Sequence, residues 1–213
     1  DKARLIASTM LETRPEDLAW EKGRWYVKGD PEKGAMIEDI ALRAMQRLAQ
    51  ALALRGDPAA GLAIAEAGLV RAKALGSPVA QSRMANAMSL CAAEMGDLVA
   101  SLRHDLTMLA CCRQAGDRRS EAVALFNLGV AYLRFGAHPQ ARQHLEESLR
   151  LNETLGNRVV QGGSLAGLSE LSLREGDAAA ALVDQRVRGP QVDSEIVGEH
   201  SGQQVVEHHR SIV

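Results

Sequence analysis

The sequence predicts an all-α fold, an α-solenoid of antiparallel helix hairpins that follows a small N-terminal helix and β-hairpin. Aromatic residues make up only 3% of the 213 residues. The core must therefore be built from Ala, Leu, Val and Met, which suits close-packed helices better than a sheet. Glycines also recur at a fixed spacing of 20 residues, at positions 56, 76, 96, 116, 136, 156 and 176.

Composition and charge narrow the class of protein. The formal charge is -2, from 25 basic and 27 acidic residues, which disfavours nucleic acid as a partner. No apolar run approaches the roughly 18 residues of a membrane span, and the N-terminus has no signal sequence. Cys91, Cys111 and Cys112 lack Cys-x-x-Cys spacing, so reduced thiols are predicted, with neither a disulfide framework nor a zinc site. We expect a cytoplasmic protein without a membrane or nucleic-acid partner.

Residues 1–34 are predicted to be a separate N-terminal segment, because the glycine spacing does not extend into them. Apolar residues at positions 3, 6, 10 and 11 predict a short amphipathic helix. Leu18 and Trp20, then Trp25 and Val27, alternate around the letters EKGR and predict a β-hairpin. A lone hairpin is marginal in water, so we expect both tryptophans to pack against the helix that starts near Ile37.

Residues 35–182 are predicted to be helical repeats. Each periodic glycine suits the left-handed residue that closes a helix, and the Asp, Ser or Asn that often follows can cap the next helix. The spacing leaves helices of roughly 16 residues, about 24 Å long. Two helices make a unit of 40 residues; we call the first, which ends near Gly56, Gly96, Gly136 or Gly176, the A helix and the second the B helix.

Small residues recur in the same register in every unit, as close helix contacts require. The small residues seven before each A-helix glycine are Ala49, Ser89, Gly129 and Ser169. Large apolar residues come directly before them, at Leu48, Met88, Leu128 and Leu168. The small residues five after each of these glycines are Gly61, Ser101, Ala141 and Ala181. An ordinary antiparallel bundle is the alternative, but a bundle has no reason to keep this register.

The segment SEAVALFNLGVAYLRFGAHPQARQHLEESLRL, residues 120–151, resembles a tetratricopeptide repeat. The residues that carry the resemblance are Leu128, Gly129, Ala131, Tyr132, Gly136, Ala141, Leu145 and Ser148. Weaker copies occupy residues 40–75, 80–115 and 160–182, so the resemblance covers about residues 37–182. Asp105 and Met108 depart from the pattern, where apolar and small residues are expected. The spacing of 40 residues is similar to the longer variants found in bacterial regulators and signalling ATPases.

Residues 1–44 resemble a segment of the large subunit of molybdenum hydroxylases of the aerobic carbon-monoxide dehydrogenase type. The resemblance lies in the letters PEDL and GRWYVKG, and it brings none of that family's cofactor-binding or catalytic parts. The segment KGDPEKG, residues 28–34, lacks the G-K-[ST] ending of a phosphate loop and is predicted to be a turn. We expect no catalytic residue and no cofactor.

Residues 183–213 contain neither Leu nor Ala, and they are predicted to be a flexible tail. His200, His208 and His209 are interpreted as solvated tail residues, not as metal ligands. Leu165, Leu168, Leu171 and Leu182 predict an uncapped apolar end. We therefore expect either self-association through the last repeat or a tail that folds over it. The unrelated ends and the missing initiator methionine predict a truncated or rearranged reading frame.

The A helices present the candidate binding residues. The tetratricopeptide resemblance implies a peptide groove lined by Arg43, Gln46, Arg47, Arg83, Asn86, Phe126, Asn127, Arg134, Glu170 and Arg174. Arginine can pair with carboxylates and asparagine can bond to main-chain amides, which favours an extended peptide as the ligand. The alternative is that these are ordinary solvated helix residues.

Two functions remain open at this point. The first is a non-catalytic interaction module that binds a peptide or partner protein, possibly as part of a bacterial regulator. The second is a truncated remnant of a molybdenum hydroxylase large subunit.

Overall fold

The computed structural model describes residues 2–176, which separate into two compact units at Ala115 and Gly116. The predicted tail, residues 183–213, and the predicted B helix of the fourth repeat lie outside the described residues. The predicted fold class, all-α helical repeats with a small strand-containing N-terminal segment, is confirmed. Each unit is described by itself below.

The first unit begins with a short helix and a small antiparallel sheet. Its elements before the repeats are α1 (Lys2–Met10), a 3-10 turn (Pro15–Asp17), β1 (Leu18–Glu21), β2 (Arg24–Val27) and β3 (Asp30–Met36). The strands lie in the order β1-β2-β3, and Trp20 pairs with Trp25 across the first hairpin. Lys22 and Gly23 both have positive φ, as a two-residue type I′ turn requires. The predicted short helix and β-hairpin are confirmed.

The prediction of a turn over residues 28–34 is wrong for most of that segment. Only residues 28 and 29 turn, and residues 30–36 form the third strand, which also crosses the predicted boundary at residue 34. Pro31 is compatible with this strand because β3 lies at the edge of the sheet, where no further strand needs its missing N–H. Gly34 lies opposite Tyr26, and a Cβ at Gly34 would come 2.4 Å from Arg24 Nε. The glycine therefore makes room for the Arg24 side chain, which donates to Glu32 O.

The two tryptophans have different environments. Trp25 packs against a buried cluster of Ala7, Leu11, Leu18, Ala35 and Ile40, so it reaches helix α2 as predicted. Trp20 remains 47% exposed and contacts Trp25 at a ring-centroid distance of 5.3 Å. The prediction that both tryptophans pack on the helix near Ile37 is therefore wrong for Trp20, because Trp25 takes the position between it and the core.

Replacing Trp25 with serine is expected to lower the free energy of unfolding by about 2 kcal/mol, because it opens a gap beside the buried cluster. Replacing Trp20 with serine should cost less than about 1 kcal/mol, since nearly half of that side chain is already exposed. Urea denaturation of the two single variants, followed by circular dichroism, measures both values. Equal losses in the two variants would contradict the packing described here.

The repeats of the first unit are two helix hairpins. They consist of α2 (Ile37–Leu54), α3 (Pro58–Ala74), α4 (Pro78–Glu94) and α5 (Leu98–Ala115). The helices have 17 or 18 residues, slightly more than predicted. Helix α3 packs against both α2 and α4, and α4 packs against α5. The A helices α2 and α4 also contact each other directly.

The periodic glycines end the helices in the way the sequence predicts. All of the glycines from position 56 to position 176 have positive φ, between 60° and 90°. Asp57, Ser77 and Asp117 then accept a hydrogen bond from a backbone N–H in the first turn of the next helix. Asn157 makes no such bond, so its predicted capping role is wrong.

Small residues in the predicted register bring the two helices of a hairpin together. A Cβ placed on Gly61 of α3 would lie 2.6 Å from the carbonyl oxygen of Ala49 in α2. In the second hairpin Ser89 of α4 and Ser101 of α5 are both buried, and their hydroxyl oxygens lie 3.1 Å apart. The backbones therefore approach closely at the same point of both hairpins.

The second unit contains the remaining helices of the described chain, α6 (Arg118–Arg134), α7 (His138–Leu155) and α8 (Arg158–Arg174). Helix α7 packs against both α6 and α8, which also contact each other. Leu145 of α7 is fully buried, and a Cβ on Gly129 or Gly167 would lie within 3 Å of its side chain. Ser148 donates to Ala122 O at 2.8 Å, and Ser164 donates to Ser148 Oγ at 3.1 Å.

Several buried positions differ from the predictions. Leu48 is 51% exposed, whereas Met88, its equivalent one unit later, packs on Ala49 and Ala65 of the preceding hairpin. Leu48 belongs to the first hairpin, so no earlier hairpin covers it.

Other predicted surfaces prove to be core. Cys111 and Cys112 are both buried, although adjacent helical residues were predicted to differ in exposure. Asp105 and Met108 are also buried, despite departing from the repeat pattern. Leu168 and Leu171 of the predicted apolar end are buried as well, and Leu182 lies outside the described residues.

Candidate partner-binding surface

The candidate surface of the first unit lies on its two A helices. Arg43 in α2 and Arg83 in α4 occupy equivalent positions of consecutive repeats, 40 residues apart, and so do Gln46 and Asn86. Because α2 and α4 contact each other, equivalent residues lie side by side. Arg43, Arg47 and Gln50 are spaced four and three residues apart, which places them on one face of α2. We call the exposed side formed by these positions of α2 and α4 the A-helix face.

Arginine side chains form a positive cluster on this face. Burial lowers the pKa of Arg43, and the nearby charges of Arg83 and Arg47 lower it further. The guanidinium groups are therefore close enough to repel one another, although arginine remains protonated. Among residues 2–176, no acidic side chain forms an ion pair with any of the three. The face consequently presents concentrated positive charge.

Other arginines in the described chain have carboxylate partners. Arg118 bonds to Glu121 at 2.8 Å, and Arg142 bonds to Glu175 at 2.5 Å. The contrast reflects the local sequence, because α2 and α4 carry acidic residues only near their ends, at Glu38, Asp39 and Glu94. The central turns of both helices lack an acidic residue that could neutralise the cluster.

Gln46 does not lie on the exposed surface as predicted. It is only 7% exposed, and its amide oxygen is buried without a hydrogen-bond partner in the described part of the chain. The side chain turns away from the face that Arg43 and Arg47 share. Asn86, the equivalent residue in α4, is partly exposed and makes interactions of its own. The predicted pair of amide side chains is therefore divided between the core and the surface.

The predicted residues of the second unit have different surroundings. The ring of Phe126 lies against Gly163, where a Cβ would come within 3.0 Å of the ring. Arg134 is exposed, while Asn127 is half-buried and engaged in interactions. Arg174 donates to Glu170 at 2.6 Å and to Leu133 O at 3.2 Å. Glu170 and Arg174 thus satisfy each other, and they present less net charge than the sequence predicted.

Two residues of this surface were not predicted from the sequence. Gly163 accommodates the Phe126 ring, and Gln50 lies one turn beyond Gln46 and Arg47. The glycine was visible as a small residue inside a predicted A helix, equivalent to Arg43 and Arg83. Its role depends on the neighbouring ring, which the spacing alone does not locate.

The described residues offer little for catalysis. Residues 2–176 contain no group of three or more His, Cys, Asp or Glu side chains placed to hold a metal ion. Burial raises the pKa of the Cys91 and Cys111 thiols, which keeps both protonated and poorly nucleophilic at neutral pH. Burial also lowers the pKa of His104, followed by the effect of Arg103, although Glu66 and Asp97 oppose this change.

A shallow open depression of about 370 Å³ lies on the outer face of the small sheet. It is lined by Glu21, Lys22, Arg24, Tyr26, Pro31 and Met36, and it is not on the A-helix face. An enclosed apolar cleft is typical of small-molecule sites, and this depression lacks that character. In residues 2–176, no helix is both long enough and apolar enough to span a membrane.

Comparison with known proteins supports the class that the fold defines. Residues 80–154 match the family model of the tetratricopeptide repeat. The matched segment extends from α4 into α7 and includes the residues that carried the resemblance in the sequence. No curated protein matches the chain. The described chain is thus a protein of tetratricopeptide-like helical repeats, a class that typically serves as a non-enzymatic scaffold for protein–protein interaction.

Proposed function

We propose that this chain is a non-catalytic interaction module whose A-helix face binds a peptide or an extended segment of a partner protein. The observation that carries the proposal is the cluster of Arg43, Arg47 and Arg83 on two adjacent A helices, without an acidic partner among residues 2–176. An extended peptide can pair with such side chains through its carboxylates, since arginine forms directional charge-assisted bonds. The tetratricopeptide match over residues 80–154 supports the same class of function.

The proposal includes a cytoplasmic location and a role within a bacterial regulator, both of which rest on the sequence resemblance. It does not include self-association. Burial of Leu168 and Leu171 removes much of the apolar end from which that prediction came.

Site-specific photocross-linking tests the proposed surface. A benzoylphenylalanine residue is introduced at Gln50 on the A-helix face or, as the matched control, at Val70 on the B helix α3, where the side chain is 69% exposed. Each full-length variant is irradiated in an extract of the source organism. We expect discrete adducts from the Gln50 variant that the Val70 variant does not form. The same adducts from both variants, or none from Gln50, would contradict the proposal.

The resemblance of residues 1–44 to molybdenum hydroxylases remains a prediction, and the tetratricopeptide match does not include those residues. Metal and pterin analysis of the purified protein separates the two functions. The interaction module is expected to contain neither. Molybdenum at one equivalent per chain would instead favour the hydroxylase remnant.

A further inference from the structure

The positive cluster of the first unit has properties that narrow the chemistry of its ligand. Arg43 interacts electrostatically with both Arg83 and Arg47, so it lies between the other two charges. Arg43 and Arg47 come from consecutive turns of α2, and Arg83 comes from the adjacent helix α4. Three guanidinium groups from two rigid helices therefore surround a small region of the surface. A compact anion with several acceptor oxygens is complementary to such an arrangement.

We propose that Arg43, Arg47 and Arg83 bind the phosphoryl group of a phosphorylated partner segment. This inference rests on the proposed function, because it assigns one chemical group to the partner of the A-helix face. A phosphoryl group carries about -1.5 to -2 charges and three acceptor oxygens within one small group. It can contact all three arginines from a single side chain, whereas carboxylates must come from separate residues.

Electrostatics supports a doubly charged ligand over a singly charged one. The mutual repulsion of the three guanidinium groups disfavours the free state of the cluster, and a bound anion offsets that repulsion. One carboxylate neutralises one of three charges, while a phosphoryl dianion neutralises most of two. The other charged groups on these two helices do not compete, because Asp39 and Glu38 lie in the first turn of α2 and form no ion pair with the cluster.

Titration of the full-length chain with three short peptides tests the inference. The probes are acetyl-Ala-phosphoserine-Ala-amide, acetyl-Ala-Asp-Asp-Ala-amide and acetyl-Ala-Ser-Ala-amide, and the signals observed are the arginine Nε–Hε resonances by NMR. We expect the phosphoserine probe to shift the signals of Arg43, Arg47 and Arg83 in a saturable way. Its affinity should exceed that of the diaspartate probe by about tenfold, and the serine probe should cause no shift.

Single substitutions define the site. Arg83→Gln and Arg47→Gln are each expected to weaken binding of the phosphoserine probe by about tenfold, since each removes one charge-assisted contact. Arg103→Gln, in an exposed position of the B helix α5, is the matched control and should leave the affinity unchanged. Circular dichroism verifies that all variants retain their helical content. The exposed Arg47 provides a second variant should Arg83→Gln lower stability.

Three results would overturn the inference: equal affinity for the phosphoserine and diaspartate probes, equal shifts at Arg103, or undiminished binding by both cluster variants. Failure of this inference is distinguishable from failure of the proposed function. If the Gln50 variant still forms its specific adducts while the phosphoserine probe does not bind, the A-helix face binds a partner through a different chemical group.

Discussion

Replacing Gly61 with valine is expected to lower the free energy of unfolding by about 3 kcal/mol. Gly61 lies where α3 approaches α2 most closely, and even a single Cβ there would lie 2.6 Å from the carbonyl oxygen of Ala49. The Sγ atom of Cys91 in α4 would lie 3.0 Å from the same Cβ. Because one obstacle is backbone and the others are buried, the side chain can be accommodated only by separating the helices.

The control for this prediction is Gly162→Ala. Gly162 also lies inside a helix, α8, but a Cβ there meets no atom within 4 Å. Alanine should therefore stabilise the protein by about 0.5 kcal/mol or more, since it removes the entropic cost of a helical glycine. Urea denaturation followed by circular dichroism measures both variants. Unchanged stability of Gly61→Val would show that α2 and α3 do not touch at this position.

Replacing Leu145 with alanine is expected to cost about 3 kcal/mol, the second large effect. The side chain is fully buried in the second unit and fills the space above two glycines, Gly129 in α6 and Gly167 in α8. Truncation to alanine leaves a cavity bordered by backbone that cannot easily collapse. The loss is measured as the change in the urea midpoint at constant slope.

A double-mutant cycle with Gly129→Ala tests the contact itself. In the parent protein, the new Cβ would come 2.5 Å from Leu145 Cγ, so Gly129→Ala should destabilise by about 1 kcal/mol or more. In the Leu145→Ala background the same Cβ enters the cavity, and it should be neutral or stabilising. We therefore expect a coupling free energy of at least about 1 kcal/mol. Additive effects would mean that the two residues are not in contact.

The repeat architecture was predictable because its determinants are local and recur in the sequence. Positive φ at Gly56 and at the later periodic glycines is a property of single residues, and small residues such as Ala49 and Gly61 show where helices approach. Strand β3 was not predicted, because its letters DPEKGAM contain Pro, Gly and charged residues that are typical of turns. It forms through pairing with β2 at the edge of the sheet, an interaction that residue preferences alone do not reveal.

The candidate site was predictable in part. The spacing of 40 residues placed Arg43 and Arg83 at equivalent positions, and the structure brings their charges together. The burial of Gln46 and the pairing of Arg174 with Glu170 depend on rotamers and neighbouring helices, so the repeat register did not reveal them. Leu48 illustrates the same limit, because its exposure follows from its place in the first hairpin.

The central claim is that helices approach closely at small residues in a fixed register, and one NMR measurement tests it most directly. In a sample labelled selectively at glycine and leucine methyl positions, nuclear Overhauser effects are recorded between glycine α protons and leucine methyl protons. The account predicts effects from the methyl groups of Leu145 to the α protons of both Gly129 and Gly167, since each glycine lies directly against that side chain. Absence of both effects in a folded sample, with Leu145 methyl contacts to other residues instead, would contradict it.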